Sequence, residues 1–186
     1  MTIRVDAARY EAAPRFPAYI ESVVKHAELW KGMYRTAMPS SGDVMRLSSI
    51  PGEWRLLALS EDWCSDAVST LPIMARLAEQ AGMDFRVLGR DANADLMDAH
   101  LTSGTRSIPV LMVLDGEFRE RGWWGPRPAS LQRWYRNEAH MLPKEDRTRR
   151  KRAWYARDRG RTVVNELLEA VERASRQALH PEKPSQ

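Results

Sequence analysis

The chain has 186 residues, of which 43% are hydrophobic and 29% are charged, and its formal net charge is +4. That length allows one well-buried core but not two, and the composition is ordinary for a soluble globular domain rather than a disordered or fibrous chain. Residues 1–17 lack the continuous apolar stretch of a signal peptide, and no apolar run approaches the ~18 residues of a membrane span, so we expect a cytoplasmic protein without membrane contact.

The first predicted elements lie in the N-terminal third of the chain. Apolar side chains recur at three- and four-residue steps over residues 16–38, which predicts an amphipathic helix. Turn-forming residues at 38–43 end that helix. Residues 53–60 follow with a short apolar run that is typical of a buried strand.

A helix, a second strand and another short helix are predicted next. Residues 64–81 carry apolar side chains on one side at helical spacing, and Gly82 ends this helix. Residues 84–90 indicate a strand, and residues 93–101 indicate the short helix.

The residues that follow indicate a hairpin. Residues 109–114 are apolar and predict a third strand, and the Asp115-Gly116 turn leads to a fourth strand near residues 118–123. A helix carrying Leu131 comes next. This order of elements predicts an α/β fold with a mixed sheet of about four strands, made of parallel strands and one antiparallel edge and flanked by helices.

The last predicted helical segment, residues 144–179, is basic in its first half. Between residues 144 and 161 there are nine Lys or Arg residues and three acidic ones. Such a run is more often the solvated face of a helix than an anion-binding site. Trp154 and Tyr155 would be the stacking residues of a nucleic-acid site, but the small net charge and the lack of a recognised motif argue against nucleic acid as a partner.

The only cysteine, Cys64, falls between the first predicted strand and the helix after it. One cysteine excludes an intramolecular disulfide and a zinc site built from several thiolates, and the four histidines have no metal-ligand spacing, so we expect no metal. At the first turn of a helix, a cysteine faces unpaired N–H groups and the positive end of the helix dipole, which favour the thiolate. Asp62, Ser65 and Asp66 are candidate modulators of the thiol. Nearby carboxylates oppose thiolate formation, and a local helix-capping role is the simpler alternative for both aspartates.

The sequence Trp-Cys-Ser-Asp-Ala at residues 63–67, with Pro72 eight residues after Cys64, resembles the active-site helix of thioredoxins. In that family Trp-Cys-x-x-Cys is followed by a helix-kinking proline. Ile108-Pro109 resembles the segment whose cis-proline faces the thiol, and Pro109 comes 45 residues after the cysteine. The chain thus resembles the thioredoxin-like family, as a variant with a single active-site cysteine.

The resemblance covers roughly residues 52–137 and implies a thioredoxin-like fold with helical extensions at both ends. We expect one compact domain with an N-terminal helical extension at residues 1–51, a thioredoxin-like core at 52–143, and a basic C-terminal helix with a disordered tail at 144–186. The extensions would either cover the sheet or form the face of a homodimer.

The resemblance also implies which residues act. Cys64 would be the catalytic nucleophile, and Trp63 would cover its sulfur. Pro109 and the backbone of Ile108 would bind the incoming disulfide-bearing chain.

Two departures from the family pattern limit the chemistry. Ala67 stands where the second cysteine belongs, and Ala58 stands where thioredoxins carry a buried aspartate that moves protons. A dithiol enzyme attacks with one thiolate and frees itself with the second, so Cys64 can perform the first step only. We therefore predict a monothiol protein that forms mixed disulfides through Cys64, either with protein thiols or with glutathione as a co-substrate. An external thiol would then resolve each mixed disulfide. This function requires an exposed thiol of low pKa.

The alternative is a redox-inactive thioredoxin-fold scaffold. Such a protein would bind a partner protein through the same groove or through its helical extensions, because a fold does not determine a function. Cys64 would then be an ordinary or buried cysteine.

Overall fold

The computed structural model describes residues 3–179, and within that range the chain forms nine α-helices, a short 3-10 turn and one four-stranded sheet. The helices are α1 Ala7–Ala12, α2 Phe16–Ser22, α3 Ala27–Thr36, α4 Ser41–Ser48, α5 Ser65–Gln80, α6 Ala94–Asp98, α7 Ala129–Asn137, α8 Lys144–Asp158 and α9 Arg161–Leu179. The strands are β1 Trp54–Ser60, β2 Asp84–Gly89, β3 Val110–Asp115 and β4 Glu120–Trp124. The predicted α/β fold, a mixed sheet of four strands flanked by helices, is confirmed.

The strands lie in the order β2-β1-β3-β4. Strands β1 and β2 are parallel, whereas β3 is antiparallel to both β1 and β4. The predicted arrangement of parallel strands with one antiparallel edge is therefore wrong, since one pair alone in this sheet is parallel. The link from β2 to β3 explains the difference. Its helix α6 has five residues and spans about 7.5 Å, too short to carry the chain back along a strand of about 20 Å.

The two central strands are buried along almost their whole length. Six of the seven residues of β1 and all six residues of β3 are buried. Both faces of these strands are covered, which explains why their sequences are continuous apolar runs rather than alternating ones. Helix α9 packs over β3 and β4, and α5 packs against β2 and α9. No helix within residues 3–179 is long and apolar enough to cross a membrane.

Helix α5 carries the cysteine motif at its N-terminal end. The helix predicted over residues 64–81 agrees with the structure to within one residue at each end, because Cys64 is the N-cap and Ala81 the C-cap. Pro72 lies inside the helix, where it removes one backbone hydrogen bond. The helix is nevertheless held firmly, since α3, α4 and α9 all pack against it.

The single helix predicted over residues 16–38 is wrong, because the structure has two helices there. The break lies between α2 and α3, where the N–H groups of Val24 and Lys25 donate to the Asp62 carboxylate at 3.1 and 2.8 Å. These amides bond to Asp62 rather than to carbonyl groups one turn earlier, so the helix cannot continue through them. His26, at the start of α3, has a left-handed backbone with a φ of 60°.

The turn predicted at residues 38–43 is also wrong, because α4 begins within it. The Ser40 side chain accepts a hydrogen bond from the Asp43 N–H at 3.1 Å and caps the helix. Serine and aspartate favour both turns and helix N-caps for the same reason, which is that their side chains bond to nearby backbone groups. The composition of this segment therefore marked the start of a helix.

Residues 144–179 form two helices rather than one basic C-terminal helix. The boundary between α8 and α9 lies at Arg159 and Gly160, whose φ angles are 54° and 79°. A Cβ at Gly160 would lie 3.3 Å from the Ile73 side chain of α5, so the turn between α8 and α9 packs closely on that helix. The tail predicted at residues 180–186 lies outside the described residues.

Candidate active-site helix

Cys64 lies where the carboxyl end of β1 leads into α5. Its N–H donates to the Glu61 carbonyl at 3.1 Å, and its sulfur accepts a hydrogen bond from the Ala67 N–H at 3.4 Å. The cysteine therefore caps its own helix. The thiol in turn donates to the Ile108 carbonyl oxygen, with 3.4 Å between sulfur and oxygen.

The segment containing Ile108 and Pro109 lies against this sulfur. The peptide bond between the two residues is cis, both residues are buried, and Pro109 leads directly into β3. Gly125 packs tightly against them. Its φ is +138°, and a Cβ at this position would lie 2.1 Å from the Pro109 carbonyl oxygen, so glycine alone fits there. The structure thus brings Cys64, Ile108 and Pro109 together.

The thiol is buried, with 7% of the Cys64 surface exposed. Burial raises the pKa of the Cys64 thiol above its ordinary value of 9.0, and the Asp66 carboxylate adds to this effect. The Ala67 N–H and the Lys151 ammonium act in the opposite direction without overcoming it. The monothiol prediction requires an exposed thiol of low pKa, whereas the thiol in this structure is buried and its pKa is raised. The helix terminus does contact the sulfur, but the loss of hydration outweighs that contact.

Asp66, in the first turn of α5, forms a buried ionic network. Its side chain is 5% exposed and accepts from the Arg127 guanidinium at 2.9 Å and from the Lys151 ammonium at 3.2 Å. The Tyr155 hydroxyl donates to its other oxygen at 3.0 Å. Two cations and a phenol therefore compensate one buried carboxylate, as a buried charge requires. The helix-capping role expected for Asp66 is wrong, because its carboxylate binds distant side chains instead.

Ser65 belongs to the same network. Lys151 donates to the Ser65 hydroxyl at 2.8 Å as well as to the Asp66 carboxylate. The ammonium of α8 is thus held by two consecutive residues that follow the cysteine. These contacts fix the C-terminal part of the motif to α8.

The helix-capping role expected for Asp62 is wrong too. Its carboxylate binds the N–H groups of the link between α2 and α3, and its backbone carbonyl accepts from the Trp30 indole N–H at 2.9 Å. Trp30 is fully buried. The N-terminal part of the motif is therefore fixed to the helices that precede β1.

Trp63 lies at the surface beside the buried cysteine, with 40% of its surface exposed. The Arg90 guanidinium lies over its indole ring, 4.9 Å from the ring centroid, and donates to the Arg106 carbonyl at 3.1 Å. Arg90 thus links the exposed tryptophan to the chain just before Ile108.

The whole motif, from β1 to the segment before β3, corresponds to a known family. A family model described as thioredoxin matches residues 13–142. The chain belongs to this thioredoxin family. None of the curated proteins compared with the sequence matches it.

Two crystal structures share the thioredoxin-like fold of this chain. One is a 1.5 Å structure of a protein of unknown function from Pseudomonas aeruginosa, with 19% identity, a TM-score of 0.70, and coverage of 90% of this chain and 98% of that chain. The other is an HIV epitope scaffold, with 20% identity, a TM-score of 0.65 and the same coverage of both chains. At these identities the likeness shows the fold alone.

The residues that surround Asp66 in this thioredoxin-like chain are not among those that the sequence predicts for the site. Most of the basic run is exposed, as a solvated face requires, but Lys151 is 7% exposed and binds Asp66. Tyr155, suggested as a stacking residue for nucleic acid, uses its hydroxyl to bind Asp66. One signal was available: Lys151 and Tyr155 are four residues apart and so share a face of α8. Nothing in the sequence pointed to Arg127.

The described residues hold no evident metal centre. Within 3–179 there is no group of three or more His, Cys, Asp or Glu side chains placed to hold a metal ion. The side chains that the cysteine motif brings together are one buried thiol, one compensated carboxylate and an exposed tryptophan.

Proposed function

We propose that this protein is a thioredoxin-fold binding protein that does not turn over thiol–disulfide exchange. The observation that carries the proposal is the state of Cys64, which is 7% exposed and donates a hydrogen bond to the Ile108 carbonyl. A thiolate has no proton to donate, so a carbonyl oxygen at this distance favours the protonated form, which is the weaker nucleophile.

The residues after the cysteine support the same proposal. Ala67, in the position of a resolving cysteine, is fully buried and has no chemistry to offer. Asp66 is bound to α8 and Asp62 to the link before α3, so the motif is fixed on both sides. A rigid, preorganised surface suits binding, because little conformational entropy is lost when a partner docks.

The proposed contact surface for a partner protein is centred on Trp63 and Arg90. Tryptophan and arginine are the residue types most enriched among the side chains that dominate binding energy. Here both are present in one stacked pair, and Arg90 is anchored to the Arg106 carbonyl. The pair thus offers a partner a large side chain that is already ordered.

The test combines thiol reactivity with reductase activity. Cys64 in the native protein should react slowly with iodoacetamide and should react fully only after denaturation. The pH at which its labelling rate is half-maximal should lie above the ordinary thiol pKa of 9.0. Reduction of insulin disulfides should not exceed that of the Cys64→Ser variant. Complete native labelling with a midpoint below ~7 would refute the proposal, since it would mean an activated thiolate.

The second candidate function is monothiol exchange, which the position of the Ile108–Pro109 segment beside the Cys64 sulfur favours. In the family that this chain resembles, the segment before the cis-proline binds the disulfide substrate. The Cys64 thiolate would attack glutathione disulfide, form one new S–S bond and release one glutathione thiolate, and a second external thiol would reverse the step. Incubation with glutathione disulfide followed by intact mass measurement tests it. A glutathione adduct absent from Cys64→Ser supports exchange, and an unmodified native protein excludes it.

A further inference from the structure

Helices α3, α5 and α8 line an open cavity of about 740 Å³ that lies beside the N-terminal half of α5. Leu29 and Met33 of α3 line it, four residues apart, as do Ser69 and Ile73 of α5. A spacing of four places each pair on one helix face, so two helices present continuous stripes to the same space. The volume falls within the ~300–1,000 Å³ of small-molecule sites.

The wall formed by α3 is apolar and exposed. Leu29 is 52% exposed, Met33 is 37% exposed, and Met38 just beyond the helix is 86% exposed. Large apolar side chains clustered on an open surface indicate a binding site, and methionine adapts its shape to different apolar ligands. An apolar chain would therefore be favoured in this part of the cavity.

The wall formed by α8 is basic. Arg152 and Ala156 line the cavity four residues apart on one face of α8, and Arg159, the C-cap residue just beyond the helix, lines it as well. Lys151 also lines the cavity, but its ammonium is bound to Asp66. None of the lining residues is Asp or Glu, so no carboxylate in the cavity wall opposes a negative ligand.

We propose that this cavity binds a long-chain carboxylate. The acyl chain would lie along Leu29, Met33 and Ile73, and the carboxylate would bind Arg152 or Arg159. Arginine pairs with a carboxylate through two parallel hydrogen bonds, which gives a strong and directional contact at the edge of an apolar site. This ligand combines one apolar part and one anionic part, as the two walls require.

This site is distinct from the surface proposed for a partner protein. The cavity contacts Ser65, the residue after Cys64, but neither Cys64 nor Trp63 lines it. The ligand has no thiol or disulfide, so its binding does not depend on whether Cys64 exchanges disulfides. The two proposals can therefore fail separately.

The first experiment compares three ligands with the same twelve-carbon chain below their micelle-forming concentrations. Dodecanoate, 1-dodecanol and dodecyltrimethylammonium would be titrated into the full-length protein by calorimetry. Dodecanoate should bind saturably with one site, and the neutral and cationic compounds should bind at least tenfold more weakly. Equal affinity for all three would overturn the proposal, since the basic wall would then contribute nothing.

The second experiment uses variants of α8. Arg152→Gln combined with Arg159→Gln should weaken dodecanoate binding at least tenfold, and Ala156→Trp should block it by filling the cavity. Arg150, which is exposed on the same helix and does not line the cavity, provides the matched control. Arg150→Gln should change the affinity less than twofold.

Each variant result either supports or overturns the cavity as the site. An equal loss of binding in Arg150→Gln would show general attraction to a basic helix, and unchanged binding in folded Ala156→Trp would place the ligand elsewhere. The paired arginine variant keeps the test decisive if Ala156→Trp does not fold. The same titration on Cys64→Ser should give the wild-type affinity, and this result separates the ligand site from any failure of the proposed function.

Discussion

Asp62 and Asp66 lie two residues on either side of Cys64, and the protein uses them differently. Asp62 is partly exposed and accepts hydrogen bonds from two backbone N–H groups, at 3.1 and 2.8 Å. Asp66 is buried and binds three side chains, including the Lys151 ammonium, 85 residues further along the chain. One aspartate holds the exposed backbone link between α2 and α3, and the other joins α5 to α8.

The difference shows that the stabilising effect of a carboxylate depends on whether its hydrogen-bond donors could be hydrated if the carboxylate were removed. If Asp62 is removed, the backbone N–H groups that it bonded can be hydrated, because the link between α2 and α3 is partly exposed. The Lys151 ammonium is buried and would keep only the Ser65 hydroxyl as a partner, so it cannot be hydrated without opening the contact between α5 and α8. An unpaired buried cation costs far more than rehydrated amides.

The largest effect is expected from Asp66→Ala. Removing one partner of a buried ionic network leaves uncompensated charge, which should lower the free energy of unfolding by about 3–5 kcal/mol. Urea denaturation followed by tryptophan fluorescence would measure it. Asp146, paired with Arg149 at the exposed surface of α8, is the matched control, and Asp146→Ala should cause little change. A loss no larger than that of the control would show that the network does not stabilise the fold.

A smaller effect is expected from Lys151→Met, which keeps most of the buried stem and removes the charge. Arg127 still compensates Asp66 in this variant, so the loss should be about 2 kcal/mol. The double variant Asp66→Asn with Lys151→Met should lose less than the sum of the two single variants, because each single change removes the same contact. Strict additivity would contradict a direct interaction between the two side chains.

Asp62→Ala should cost about 1 kcal/mol, because its hydrogen bonds are partly exposed. Asp62→Asn, which keeps one acceptor oxygen, should cost less than Asp62→Ala. Chemical denaturation of the two variants side by side checks the order. A loss from Asp62→Ala as large as that from Asp66→Ala would remove the distinction between the two aspartates.

The sequence predicted the local parts of this site better than the long-range ones. The junction of strand and helix at Cys64 and the four-stranded mixed sheet follow from hydrophobic patterns and motif order, and both are present. The partners of Asp66 come from α8 and from Arg127 before α7, and no short-range pattern relates them to α5. The burial of Cys64 depends on how distant elements pack around α5, which explains why the direction of its pKa shift could not be read from the sequence.

The smallest effect, which distinguishes the two aspartates most directly, is a change in the pKa of the Cys64 thiol. Burial is the first cause of its raised pKa, and Asp66 contributes as a nearby negative charge, whereas Asp62 is not among the groups that shift it. Asp66→Asn should therefore lower the midpoint of iodoacetamide labelling, Lys151→Met should raise it, and Asp62→Asn should leave it unchanged. An equal shift in both aspartate variants would contradict this assignment.

The same raised pKa has a consequence for stability. Because the folded pKa of Cys64 lies above the unfolded value, the neutral thiol contributes stability that is fully present below the unfolded pKa of about 9 and is lost as the pH rises through the folded pKa. As the pH rises above 9 the wild type should therefore lose stability faster than Cys64→Ser, which has no thiol to ionise. Parallel pH profiles for the two proteins would mean that the thiol ionises as easily in the folded chain as in the unfolded one. Burial of the sulfur would then not explain a low reactivity of Cys64.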